Sequence, residues 1–231
     1  MEHYGIVNDT QAQRSFIQQV YLWMALALFT TGLVAFSVAS STTFVDMMAQ
    51  SATLPFVLLF AELGLVMVIS GMINKISSMT AIALFFIYSV LNGLTFSSLF
   101  IYYTYSSIAS VFFISAITFG AMCAYGYFTK RDLTSIGSLC FMGLIGVVIA
   151  SIVNIFVTNN VFTLIVSVIG ILVFIGLTAY DTQKIKKMSW SITQGENAEI
   201  MTKGSIIGAL TLYLDFVNLF LYALRLFGKR R

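Results

Sequence analysis

Three acidic residues stand where the rest of the chain is apolar: Glu62, Asp181 and Asp215. An acidic side chain at the centre of a membrane-spanning helix costs about 2.5–3.5 kcal/mol on insertion scales, so each needs a partner or a task. Asp215 lies eleven residues past Gly204 in an apolar run. At 1.5 Å per residue that is about 16 Å along a helix, near the midplane of a bilayer. Around it, Gly204, Gly208, Thr211, Asp215, Asn218, Tyr222 and Arg225 recur at alternating spacings of four and three. They form one small-and-polar seam on a helix otherwise built of Leu, Ile, Phe and Val. Gly204 and Gly208 make a GxxxG pair that lets another helix approach closely. Packing accounts for the glycines. An aspartate is costly glue where Asn or Thr would serve, so Asp215 points to an ion path.

A second seam precedes it: Thr163, Ser167, Gly170, Phe174, Thr178 and Asp181, with Asp181 at its end. By position alone Asp181 reads equally as an interfacial residue facing water. Glu62 sits mid-segment with no lysine or arginine in its span, so protonation or a hydrogen bond to another helix must satisfy it. Asn92 and Asn154 read as hydrogen-bonding glue between helices.

The elements that must carry these residues are membrane spans. Of 231 residues, 59% are hydrophobic and 9% charged, too few polar groups to cover a soluble core of this size. The formal charge of +3 does not suggest nucleic-acid binding. A bilayer core of about 30 Å needs roughly 20 apolar residues in a helix. Seven stretches qualify or nearly do: 20–40, 54–73, 79–103, 107–128, 134–157, 161–180 and 204–227. These predict an N-terminal tail over 1–19, one seven-helix domain over 20–227 and a basic tail over 228–231. Most breaks are short and polar. Only 181–203 reads as a substantial loop, with a turn signal at Gln194-Gly195-Glu196-Asn197. The polar N-terminus, with Glu2 and Asp9, does not read as a signal peptide.

Arg14, Lys75, Lys130 with Arg131, and Lys184, Lys186, Lys187 and Lys203 occupy alternate connections; the others hold no lysine or arginine. The N-terminus and the even-numbered exits are therefore expected on the cytoplasmic side. Seven spans then put Lys229-Arg230-Arg231 outside, against the charge rule. A re-entrant last segment, with both termini inside, is the alternative.

Enzyme signatures are sparse. Neither HExxH nor GxSxG occurs, and His3, the one histidine, lies in the tail, so no buried Ser-His pair forms. Tyr180-Asp181 is similar to the YD motif of presenilin-like proteases, but Leu212 and Leu214 stand where the GxGD motif needs glycines. Cys123 and Cys140 lie in apolar stretches and read as small buried hydrophobes. No enzymatic activity and no resident cofactor are expected.

The runs Ala179-Tyr180-Asp181-Thr182-Gln183-Lys184-Ile185-Lys186 and Gly208-Ala209-Leu210-Thr211-Leu212-Tyr213-Leu214-Asp215-Phe216-Val217-Asn218-Leu219-Phe220, followed by Leu224-Arg225, are specific. Through them the chain resembles the Bax inhibitor family, the transmembrane Bax-inhibitor-motif proteins, in its bacterial branch. The resemblance covers nearly the whole chain. It implies an all-α membrane fold in which six helices surround a central C-terminal helix. It also implies a pH-sensitive calcium leak channel whose sensor is a hydrogen-bonded pair, here Asp181 and Asp215. These two are the tentative calcium-contacting residues, and Glu62, Asn92, Asn154 and Asn218 could contribute to the ion path or polar network. Two carboxyls in contact in a low dielectric cannot both ionise cheaply, so they hold one proton between them and repel once it leaves. A carboxylate-lined path suits a hard divalent cation.

Two departures from the family pattern stand out. A basic residue near the inner end of the second helix pairs with the aspartates in relatives; that place falls on Ile73, and the latch role would pass to Lys75. The segment between the aspartates also reads as long. Some bacterial relatives instead bind and restrain a membrane-anchored AAA protease, which is the alternative implied function.

Overall fold

A computed structural model describes the backbone of residues 2–41, 51, 53–157, 159–193 and 198–231. It is helical almost throughout: α1 (Glu2–Ala39), α2 (Leu54–Met72), α3 (Ser78–Ser97), α4 (Leu99–Tyr102), α5 (Tyr105–Phe128), α6 (Thr134–Val157), α7 (Asn160–Thr193) and α8 (Ala198–Phe227). Seven spans are long and apolar enough to cross a membrane, α3 and α4 together making one. In hydrocarbon every backbone polar group must be satisfied within the segment, which helices do. Pro55, the only proline, sits in the first turn of α2, where its missing N–H costs nothing. Ser77 caps α3 by accepting from the Thr80 amide at 3.1 Å.

Several boundaries differ from those expected. The helix that carries the first span begins at Glu2, and its apolar part runs over Gln11–Ala39, so the described part of the expected tail, residues 2–19, is helical. The third span breaks at Ser98. There the hydroxyls of Ser97 and Ser98 bond back to Leu94 O and Thr95 O at 2.6 and 2.7 Å, a substitution that bends helices. The largest correction concerns 181–203. Residues 181–193 continue α7, and 198–203 open α8. No glycine or proline interrupts 181–193, so the charged residues there extend the helix. The turn signal over 194–197, like most of the expected connection 41–53, lies outside the described residues.

The chain forms two compact units: Met1–Tyr102 with Met188–Tyr213 and Arg231, and Tyr103–Lys187 with Leu214–Arg230. In the first, α1 and α2 both pack on α3. Gly93 permits the α1–α3 approach, since a Cβ there would lie 2.7 Å from Val34 Cβ and 2.9 Å from Thr31 O. In the second, α5, α6 and α7 close on one another at glycines. Gly126 faces the Ala179 backbone, Gly137 the Tyr180 ring and Gly176 the Cys140 thiol.

Helix α8 is the most buried span, with 67% of its most apolar window enclosed against 39% for the next. That is the burial expected of a central helix. Its burial is not confined to the polar seam: Leu210, Leu212, Phe216, Leu219 and Leu224 are enclosed as well. Beyond α8, Lys229 O accepts from Thr104 N at 3.2 Å, Lys229 N donates to Ser107 Oγ at 2.8 Å, and Arg231 N donates to Tyr102 O at 3.1 Å. The tail therefore lies at the α4–α5 connection, one of the connections free of lysine and arginine. A re-entrant last segment would instead bring the tail beside the basic connections.

Candidate functional site

The face of α7 that carries its seam meets α8 within the second unit. Gly170 lies under the Tyr222 ring, and Phe174 stacks on that ring at 5.9 Å between centroids and 23° between planes. Seven residues further along α7, Asp181 hydrogen-bonds Asp215, which lies seven residues before Tyr222 on α8. Seven residues are two turns, about 10.5 Å. The ring pair and the carboxyl pair are thus successive rungs of one antiparallel helix pair. Between them Thr178, fully enclosed, returns its hydroxyl to Phe174 O at 2.7 Å. Phe112 and Phe119 of α5 each meet Phe216, the residue after Asp215, edge-on at 5.4 Å.

Asp215 is 4% exposed and Asp181 9%. A hydrogen bond between two carboxyls requires that one carry a proton. Among the described residues no hydroxyl, amide or ammonium group reaches Oδ2 of Asp215. The Lys184 ammonium, one turn along α7, acts electrostatically on Asp181. Asp181 is not at the end of its helix: α7 continues to Thr193.

The run after Asp181 has a role that sequence reasoning missed. Gln183 accepts from the Leu133 amide at 2.9 Å and donates to Arg131 O at 2.8 Å, so one side-chain amide pins the α5–α6 connection. Lys186 donates to Tyr127 O at 2.6 Å and lies 4.7 Å from the Tyr127 ring centroid. Lys187 pairs with Asp132 at 2.8 Å. Bonds from Lys187 and then from the Thr134 hydroxyl hold the Asp132 carboxyl below its usual range. The spacing Gln183, Lys186, Lys187 places three donors near one end of α7. Their targets lie some fifty residues away in sequence, so no local signal names them.

The other expected site residues fall into separate places. Glu62, in the first unit, accepts from Thr95 Oγ1 at 2.6 Å, a hydrogen bond between α2 and α3. Asn154 accepts from Thr163 Oγ1 at 3.1 Å and links α6 to α7. Among the described residues Asn92 bonds within its own helix; its Nδ2 donates to Tyr88 O of its own turn at 3.3 Å. Asn218 likewise donates to Leu214 O at 2.8 Å. Both use the local option open to an Asn side chain in a helix. Lys75 is exposed and holds no ion pair among the described residues. Among those residues no three His, Cys, Asp or Glu side chains cluster as a metal site would need. The carboxyl pair alone supplies too few oxygens for a resident calcium, which takes about 6–8.

Sequence comparison fits this geometry. Residues 13–231 match the family model described as inhibitor of apoptosis-promoting Bax1. The chain is 47% identical to the inner membrane protein YbhL of Escherichia coli K12, covering 98% of this chain and 97% of that one. It is 45% identical to the uncharacterized protein RP147 of Rickettsia prowazekii, covering 94% and 91%. A protein of Borreliella burgdorferi is 41% identical over 95% of this chain and 94% of its own.

Proposed function

The chain belongs to the Bax inhibitor family, and from that premise we propose that it is a pH-sensitive calcium leak channel of a bacterial inner membrane, gated by Asp181 and Asp215. The observation that carries the proposal is the buried hydrogen bond between these carboxyls, which joins the last two long helices. With one shared proton the pair is a bond that holds α7 against α8. Without it, two anions face each other in a low dielectric and push the helices apart. Low pH closes the path and higher pH biases it open. The N-terminus is cytoplasmic and the tail external in this reading, which rests on the placement of lysine and arginine.

The test uses the purified full-length chain in liposomes loaded with a calcium dye. Calcium should pass without any partner, faster as pH rises. A reporter fused after Arg231 should be active only outside the cytoplasm. Absence of flux at every pH would overturn the channel reading. Capture of a membrane-anchored AAA protease by crosslinking would then favour the interaction-protein alternative. A modulator could not use a long flexible loop over 181–203, because most of that stretch is helical.

A further inference from the structure

The five residues between α5 and α6, 129–133, are tied down from α7. Gln183 bonds both Arg131 O and the Leu133 amide, and Lys186 bonds Tyr127 O. Lys187 pairs with Asp132, whose carboxylate also accepts from the Thr134 hydroxyl at 2.8 Å, at the start of α6. Topology signalling needs lysine and arginine in a connection, not a fixed place for each. So many bonds on one short connection ask for another reason. What they display is cationic. Lys130, Arg131 and Lys184 are exposed and hold no ion pair among the described residues. The Gln183 bond to Arg131 O, at 2.8 Å, brings Arg131 beside α7 where Lys184 is the next residue. The second unit contains three acidic residues. Asp181 and Asp215 are buried together and Asp132 is taken by Lys187, so no carboxylate of this unit pairs with the three cations.

Depth says which anion meets them. Helix α7 has 34 residues, about 51 Å at 1.5 Å each, against about 30 Å of hydrocarbon. With Asn160 at one hydrocarbon edge, Lys184 stands about 36 Å along, in the headgroup layer of the opposite face. Tyr125 and Phe128, in the last turn of α5, are both exposed, and aromatic side chains are enriched at membrane–water interfaces.

We propose that Lys130, Arg131 and Lys184 form a binding surface for the headgroup phosphate of an anionic phospholipid in the leaflet on that side. A guanidinium matches two phosphate oxygens at once, and the two ammonium groups add point charge. Basic groups beside a membrane span attract anionic lipid in this way. The bonds from Gln183, Lys186 and Lys187 hold the connection in place before lipid arrives, so binding gives up little further backbone freedom. The proposal stands on the membrane fold and the arrangement of charge, so a failure of the channel reading would leave it untouched.

The test is native mass spectrometry of the purified full-length chain with equal amounts of phosphatidylglycerol and phosphatidylcholine. The wild type should retain phosphatidylglycerol in preference. The triple variant Lys130→Gln, Arg131→Gln, Lys184→Gln should lose that preference by about tenfold or more. Arg131→Gln alone should lose about fivefold, which keeps the test available if the triple variant misfolds. Lys130→Arg with Lys184→Arg, which keeps the charge, should bind as the wild type does. So should Lys229→Gln with Arg230→Gln, which removes charge from the tail beyond α8. Equal retention of the two lipids by the wild type would overturn the proposal and leave the surface to an acidic segment of a partner protein. An unchanged preference in the triple variant would overturn it too, as would an equal loss in the tail variant, which would mean a general charge effect. Displacement of the lipid by an equal concentration of inorganic phosphate would assign the surface to a free anion and overturn the lipid.

Discussion

Tyr213 and Asp215 are two residues apart on α8 and meet opposite fates. At 100° per residue their side chains leave the helix about 200° apart. Tyr213, in the first unit, is fully enclosed, edge-on to Phe85 at 5.9 Å and Tyr88 at 5.5 Å. Its hydroxyl lies 2.8 Å from Thr31 Oγ1. The Thr31 proton goes to the carbonyls of Ala27 and Ser89, at 3.0 and 2.9 Å, so Tyr213 is the donor. This network is neutral and saturated. Asp215, in the second unit, has its bonding partner in another carboxyl. A saturated neutral network fixes helices at little electrostatic cost, whereas a carboxyl pair in a membrane is expensive and can change state by one proton. One helix thus carries a structural anchor at Tyr213 and, at Asp215, the proposed switch.

The sharpest structural perturbation acts on the switch side alone. Gly126 faces the backbone of Ala179, two residues before Asp181, so Gly126→Ala should force α5 and α7 apart. Thermal unfolding in nanodiscs should show a loss of about 1–3 kcal/mol, typical of overpacking, and the pH profile of flux should move with it. An unchanged profile would mean that the α5–α7 contact does not position the pair.

Tyr213→Phe perturbs the anchor and should cost about 0.5–1.5 kcal/mol, the net worth of one hydrogen bond. Flux should keep its full pH dependence, because Thr31 retains both carbonyl partners. Glu62→Gln, which keeps an acceptor for Thr95, should likewise leave the profile unchanged. A flattened profile in either variant would join the two faces into one device.

The smallest effect is expected at Lys187→Ala, which removes an exposed ion pair with Asp132. Such pairs contribute little and are screened by salt, so the loss should vanish in unfolding scans at high ionic strength. Because the folded state holds the Asp132 carboxyl below its usual range, this contribution is present above about pH 4, the unfolded value. It disappears as pH falls through the lower folded value. A contribution that grew on acidification would contradict the pairing.

What could be read beforehand depended on spacing. The three-and-four recurrence of Gly170, Phe174 and Asp181 marked the face of α7 that meets α8. The extent of α7 beyond Asp181 was not legible. Lys184, Lys186 and Lys187 looked like loop charges, yet Lys186 and Lys187 are satisfied by Tyr127 and Asp132, which nothing nearby in sequence announces. Asn92 was misplaced as an interhelical bridge because an Asn in a helix always has its own turn as a rival partner. Tyr213 stands outside the polar seam, and its partner Thr31, 182 residues away in sequence, is named by no local signal.

The central claim is that Asp181 and Asp215 titrate as one unit that sets flux. The direct measurement is calcium flux against pH in liposomes for the wild type, Asp181→Asn, Asp215→Asn and the double variant. Coupled sites share a macroscopic titration, so each single variant should lose most of the pH dependence and the double should lose no more. Independent shifts from the two single variants, summing in the double, would contradict the account.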